Sequence, residues 1–470
     1  LARNRIALEA DMTAGDDAER SDEEERRRLT ASDDAERSDE EERRRLTASD
    51  DAERSDEEER RRLTAGEPRS VRTPEPLPDG VSKATIGVRG GILRSQFEET
   101  AEAIYLASGY VYDSAAAAEQ AFSGEIDRYV YSRYGNPTVT MFEERLRLIE
   151  GAPAAFATAS GMAAVFTSLG ALLAAGDRLV AARSLFGSCF VVCNEILPRW
   201  GIETVFVDGD DLSQWEQALS VPTQAVFFET PSNPMQSLVD IAAVTELSHA
   251  AGAKVVLDNV FATPLLQQGF PLGVDVVVYS GTKHIDGQGR TLGGAILGDK
   301  EYIDGPVQKL MRHTGPAMSA FNAWVMLKGL ETLAIRVDYQ NAAAQRIAEY
   351  LEGHPAVRWA RYPFLTSHPQ YDLAKRQMSG GGTVVTFELD VPDSAAKQRA
   401  FEVLDKLQLI SISNNLGDAK SLVTHPATTT HRAMGPEGRA AIGLGDGVVR
   451  ISVGLESTDD LIADLDQALR

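Results

Sequence analysis

The chain has 470 residues, 43% of them hydrophobic, and a formal net charge of −23. That length provides for two or three domains around a large core. Its acidity argues against nucleic acid as a partner, because gripping phosphates needs clustered Lys and Arg. No apolar stretch reaches the roughly 18 uncharged residues of a transmembrane helix. Leu1 to Asp11 mixes charges where a secretory signal needs an apolar centre. Cys189 and Cys193, the two cysteines, lie four apart in an apolar segment. They read as reduced thiols rather than a disulfide framework or zinc site. A cytoplasmic protein with no membrane partner and no metal is expected.

The charge is unevenly placed, with 23 acidic and 14 basic side chains in residues 1–66. Within that stretch Thr13–Leu29, Thr30–Leu46 and Thr47–Leu63 repeat one 17-residue unit whose only apolar residues are a Leu and two Ala. Such a unit cannot bury enough surface to offset its chain entropy. A disordered tail or isolated solvated helices are expected, either as a neutral duplicated extension or as a charged interaction tail. Pro74, Pro76 and Pro78 mark 67–80 as a linker, and the folded protein is expected to begin near Val81. Residues 81–140 read as an N-terminal arm, 141–330 as a large domain and 331–470 as a smaller one.

From about residue 150 short β-branched runs alternate with helical spacing. Ala154–Thr158, Arg178–Ala182, Thr204–Val207, Ala225–Phe228, Val255–Leu257, Val276–Tyr279 and Ala295–Leu297 read as strands. Met162–Leu173, Cys189–Leu197 and Ile241–Ala251 read as helices between them. The pattern predicts an α/β fold with a mostly parallel central sheet covered on both faces. A long helix, Ala334–Glu352, and the strands Thr383–Glu388 and Val448–Val453 predict an α+β C-terminal domain.

The chemistry gathers where two of these strands end. Asp258 follows Val255–Leu257, and Lys283 stands three residues past Ser280, at the end of the next run. Adjacent parallel strands bring such residues to one carboxyl edge, where open sheets bind ligands. An amine that can trap an aldehyde beside a carboxylate for a pyridinium nitrogen is what pyridoxal 5'-phosphate (PLP) requires. Ser160-Gly161-Met162 opens a helix with small residues, whose N–H groups can hold a phosphate. Ser280 and Thr282 add hydroxyls. Asn233, set between prolines after a strand, can donate its amide to the cofactor's 3'-oxygen, and Arg133 offers a fork suited to phosphate. No G-x-G-x-x-G follows the first strand, which argues against a nicotinamide cofactor.

These segments together resemble the Cys/Met-metabolism family of PLP enzymes, of fold type I, over roughly residues 85–470. The resemblance is carried by Tyr131-Ser132-Arg133 with Asn136-Pro137-Thr138, Ser160-Gly161-Met162, Pro231-Ser232-Asn233-Pro234, Leu257-Asp258-Asn259, Ser280-x-Thr282-Lys283 and the late Arg450-x-Ser452-x-Gly454-x-Glu456. It implies that Lys283 is the Schiff-base lysine and proton-moving base, and that Asp258 keeps the ring nitrogen charged. Gly161, Met162, Ser280 and Thr282 are implied to bind phosphate. Tyr131 and Arg133 are implied to reach that phosphate from a neighbouring subunit, in a homodimer or a homotetramer. Arg450 is implied to clamp the substrate's α-carboxylate, helped by Asn233 and Ser421.

One departure stands out. The family's Leu-Tyr-Gly, whose tyrosine stacks on the cofactor, here reads Leu185-Phe186-Gly187. Phe186 can stack but cannot exchange a proton. With Asp286-Gly287-Gln288-Gly289-Arg290 after the lysine, this is most similar to the family's O-succinylhomoserine-using sulfhydrylase branch. The implied reaction is γ-replacement on O-succinyl-L-homoserine by sulfide, giving L-homocysteine and succinate for methionine biosynthesis. Cystathionine γ-synthase is the alternative within the family, and a non-catalytic PLP-binding protein the alternative outside it. Arg290 is a candidate contact for the distal succinyl carboxylate. His284 is expected to pack, and His425 and His431 to frame the loop of Ser421.

Overall fold

The computed structural model describes residues 74–470; the readings for the 1–66 repeats and for residues 67–73 of the linker lie outside them. Seven strands form the larger sheet: β1 (Ala154–Thr158), β2 (Arg178–Ala182), β3 (Glu203–Val207), β4 (Ala225–Glu229), β5 (Lys254–Asp258), β6 (Val276–Ser280) and β7 (Gly294–Gly298). Their order is β1-β7-β6-β5-β4-β2-β3. All pairings are parallel except those of β7, which runs antiparallel to both β1 and β6.

Side chains alternate across a strand, and here both faces are buried. Val255 and Leu257 of β5, with Val277 and Tyr279 of β6, join one core cluster. Met141, Phe142 and Leu146 of α1 (Pro137–Glu150) belong to the same cluster. Val256, Val276 and Val278 point the other way, into a cluster with Ala164, Val165 and Leu169 of α2 (Gly161–Leu172). The apolar runs are continuous because neither face meets water. The same alternation sends Glu229, Asp258 and Ser280, at the ends of β4, β5 and β6, toward the face that α2 covers.

Two helix starts beside the sheet are fixed locally. Asn136 caps α1 by accepting the Thr138 N–H at 2.9 Å, with Pro137 at the first helical position. Ser160 caps α2 by accepting the Ala163 N–H at 3.1 Å. The predicted helix at 189–197 begins two residues earlier, at Gly187.

Beyond α3 (Leu333–Glu352) lies a second, five-stranded sheet of order β10-β11-β12-β9-β8. Its strands are β8 (Val357–Arg361), β9 (Val384–Leu389), β10 (Ser411–Ile412), β11 (Leu422–Thr424) and β12 (Val448–Ser452). It is antiparallel except where β10 pairs with β11. Ala344, Ile347 and Leu351 of α3 pack with Val385, Phe387 and Ile451 in its core. Among the described residues no helix is long and apolar enough to cross a membrane.

Candidate functional site

A cavity of about 220 Å³ opens at the carboxyl ends of β4, β5 and β6. Gly161, Met162, Phe186, Asn233, Asp258, Ser280, Thr282, Lys283 and Arg450 all line it, as the sequence leads one to expect. Asp258 reaches it because β5 pairs in parallel register with β6, Asp258 opposite Val278. Lys283 sits in the turn after β6, its N–H directed to the Ser280 carbonyl at 3.3 Å.

The Lys283 amine donates to Asn415 Oδ1 at 2.5 Å. Burial, and then the positive charge of Arg450, pull its pKa down to about 8, against the attraction of Asp258. A fraction of this lysine is therefore a neutral amine near physiological pH. Asp258 is pushed above the ordinary carboxylate range by burial, which the Val260 N–H at 3.1 Å and Lys283 partly offset. A cation set against Asp258 would restore its charge, and a pyridinium is such a cation.

The start of α2 meets the end of β6 very closely. A Cβ on Gly161 would lie 2.5 Å from the Ser280 Cβ, so only glycine fits. Ser160 spends its hydroxyl on capping, while Gly161 and Met162, at the start of α2 where N–H groups have no intrahelical partner, line the cavity. That is an anion cradle, with Ser280 and Thr282 beside it.

Arg450, on β12, is buried and closes the opposite wall. Its Nη1 donates to Asn233 Oδ1 at 3.0 Å, and its Nη2 donates to the carbonyls of Asn414 and Asn415 at 3.0 and 3.1 Å. Its Nε is buried and has no hydrogen-bond partner among the described residues. An orphaned buried donor on a guanidinium is a place for a carboxylate to dock. Because Asn233 gives its oxygen to Arg450, its NH2 is left as the donor toward the cavity. A phosphate cradle, an amine, a buried acid and a carboxylate-seeking arginine thus converge, and this donor set fits PLP with an amino-acid substrate.

Several expectations need correction. Ser421 does not line the cavity: its hydroxyl donates to Glu456 Oε2 at 2.8 Å and accepts the Gly454 N–H at 2.9 Å. It ties β11 to the segment after β12 and is not available to a substrate. Arg290 is held by Asp286, through its Nε to Oδ1 at 2.9 Å and its Nη2 to the carbonyl at 2.8 Å. It lies outside the cavity lining, so it offers the succinyl group no free fork. His431 frames Asn233, with Nε2 3.0 Å from the Asn233 carbonyl, rather than the loop of Ser421. His425 contacts Thr428 and the Asp446 carbonyl. His284 packs, with Nε2 2.7 Å from Thr383 Oγ1, and burial pushes its pKa down to about 3.

Tyr131 and Arg133 are not brought to this cavity within the chain. Arg133 donates to the Arg312 carbonyl and lies over the Tyr134 ring, 4.9 Å from its centroid. Two polar residues that bear on the site escaped the sequence reading, one lining the cavity and one holding the lysine amine. Glu229 ends β4 opposite Asp258, on the same face. Asn415, the partner of the lysine amine, comes from a loop 132 residues later.

A profile of the Cys/Met metabolism PLP-dependent enzymes matches residues 84–470. The chain is 88% identical over 400 residues to an O-succinylhomoserine sulfhydrylase of Mycobacterium tuberculosis (strain ATCC 25618 / H37Rv), covering 85% of this chain and 98% of that relative. It is 45% identical over 391 residues to an O-succinylhomoserine sulfhydrylase of Pseudomonas aeruginosa, covering 83% and 96%. Among solved structures, a Campylobacter jejuni protein assigned as an O-acetylhomoserine (thiol)-lyase superposes with a TM-score of 0.79 at 31% identity. The match covers 83% of this chain and all of that one, whose structure carries a pyridoxyl-lysine phosphate adduct.

Proposed function

Because the chain belongs to the Cys/Met-metabolism family of PLP-dependent enzymes, we infer that it replaces the γ-substituent of O-succinyl-L-homoserine with sulfide. The products are L-homocysteine and succinate. The observation that carries this reading is the 88% identity across nearly the whole of a relative bearing that activity's name. When bound, PLP supplies an aldehyde that captures amines and an electron sink for charge left on substrate carbon.

The chain's own residues divide the remaining work. Gly161, Met162, Ser280 and Thr282 hold the phosphate. Asp258 keeps the ring nitrogen protonated, and Asn233 donates its amide to the 3'-oxygen. Arg450 would take the substrate's α-carboxylate through its free Nε, in the same cavity as Lys283. Lys283, with its depressed pKa, takes and returns protons at the substrate carbons. Phe186 walls the ring and cannot pass protons, so that traffic falls to Lys283 and water.

Tyr131 and Arg133 serve the site of a second copy, in a homodimer or a dimer of dimers. This is supported by the apolar surface the arm leaves uncovered, with Phe97 80%, Leu106 74%, Val111 89% and Phe122 66% exposed. Buried, unpaired Cys189 and Cys193 support a cytoplasmic setting.

The test is a competition: purified enzyme receives sulfide and cysteine together, with O-succinyl- or O-acetylhomoserine as donor. Homocysteine formed chiefly from the succinyl ester is expected. Cystathionine as the main product would overturn the assignment of the acceptor, and preference for the acetyl ester that of the donor.

A further inference from the structure

Arg450 leans on Asn233, whose Oδ1 accepts its Nη1 at 3.0 Å. Asn233 lies in a turn after β4, outside any strand or helix, so its place depends on what grips that turn. Two consecutive carbonyls there are held by side chains from the C-terminal part of the chain. The Asn233 carbonyl lies 3.0 Å from His431 Nε2, and the Pro234 carbonyl accepts the Thr386 hydroxyl at 2.6 Å. Both side chains are buried, where neither bond competes with water. Burial and the charge of Arg450 pull the His431 pKa down to about 4, against the bond to Asn233. The ring is therefore neutral near pH 7. A carbonyl accepts and does not donate, so Nε2 carries the proton and Nδ1 is free to accept from the Thr430 hydroxyl, 2.8 Å away. Thr386, on β9, stands opposite Arg450 in the register of β9 with β12. The segment of His431 is itself wedged against the site: a Cβ on Gly187 would lie 2.6 Å from the Thr430 carbonyl oxygen.

We propose that His431 and Thr386 are positioning residues for the substrate's α-carboxylate: by fastening the Asn233 and Pro234 carbonyls they hold Asn233 against Arg450, and so keep the guanidinium in the orientation that leaves Nε free. The proposal rests on the PLP reading of the same site and deepens it. Neither side chain belongs to the cavity lining, so both act through Asn233 and Arg450 and touch no reacting atom. A purely structural role would weaken every ligand alike. A positioning role weakens ligands that carry the carboxylate and spares those that lack it.

The experiment uses PLP-loaded wild type, His431→Phe, His431→Gln and Thr386→Val. Each is titrated with glycine, an amine with an α-carboxylate and no γ-substituent to lose, and with methylamine, the amine alone. Binding is followed through the cofactor's visible absorbance. His431→Phe keeps a ring without a donor, and Thr386→Val keeps the shape without the hydroxyl. Both are expected to bind glycine about fivefold more weakly, the scale of one lost neutral hydrogen bond, with methylamine affinity unchanged. His431→Gln places an amide N–H at a reach close to that of Nε2 and should recover most of the glycine affinity. Unchanged glycine binding in either donor-lacking variant overturns the proposal. So does an equal loss for both amines, or a His431→Gln chain as weak as His431→Phe. Should His431→Phe fail to fold, Thr386→Val decides the outcome. A wild type that forms no band with PLP sinks the cofactor reading instead, and one that binds the two amines alike sinks the carboxylate role of Arg450.

Discussion

Lys283 owes its reactivity to neighbours of opposite effect. Burial and Arg450 make its ammonium form costly, whereas Asp258 and the oxygen of Asn415 at 2.5 Å favour it. The balance leaves a pKa of about 8, close to the optimum for the proton-moving role proposed for it. Asn415 is neutral, so it orients the amine without raising its basicity as a carboxylate would. Asn415→Asp supplies that carboxylate. An adjacent anion stabilises the ammonium and raises its pKa by about one unit or more. As the proposed base, Lys283 must be deprotonated to accept the α proton, so the acid limb of the kcat profile is expected to move to higher pH by a similar amount. Activity at pH 7 should fall about tenfold and recover at pH 9. A limb that stays in place, or moves toward acid, means that the Lys283 amine is not the group being titrated.

At the scale of elements, the site is an encounter between the start of α2 and the end of β6. Gly161 permits it, since a side chain there would press on Ser280 at 2.5 Å. Gly161→Ala is expected to push α2 away from β6 at a cost of about 1–3 kcal/mol. The anion cradle should open and PLP affinity should fall at least tenfold; equilibrium titration and thermal melts measure the two effects. Native affinity in this variant would mean that the phosphate is held elsewhere. The same elements explain what sequence could reveal. Asp258 and Lys283 follow apolar runs whose length and β-branching already mark them as strands, so their convergence follows from parallel pairing. Glu229 obeys the same rule with the same parity, Phe227 and Glu229 sharing the face of Val256 and Asp258, and was legible though unread. Arg290 stands four residues after Asp286, a spacing that signals an ion pair. Asn415 was not legible: it lies in an irregular loop, and nothing local ties residue 415 to residue 283. Ser421 misled because its engagement with Glu456 depends on how β11 and β12 pair, which is a tertiary fact.

For the whole molecule the open question is whether one chain can make a complete site. The cavity around Lys283 holds an amine, an acid and a carboxylate-seeking arginine, but not Arg133 or Tyr131. Tyr131 is 41% exposed, and Arg133 lines a separate hollow with Asp127, Glu143 and Asp304. Both belong to the stretch whose Phe97, Leu106, Val111 and Phe122 are open to solvent. In the homodimer proposed above, the arm would bury its apolar side chains against the other copy, and a two-fold arrangement would make the exchange reciprocal. Reciprocity has a quantitative consequence. A Lys283→Ala chain lacks its own base but can lend Arg133; an Arg133→Ala chain keeps its base but cannot lend. In a mixed dimer one of the two sites is then intact and the other doubly defective. Random association makes half of the dimers mixed, so co-expressed variants, each nearly inactive alone, are expected to recover roughly a quarter of wild-type turnover. If Arg133 acted within its own chain, every mixed dimer would contain only damaged sites, and turnover would stay at the mean of the two parents.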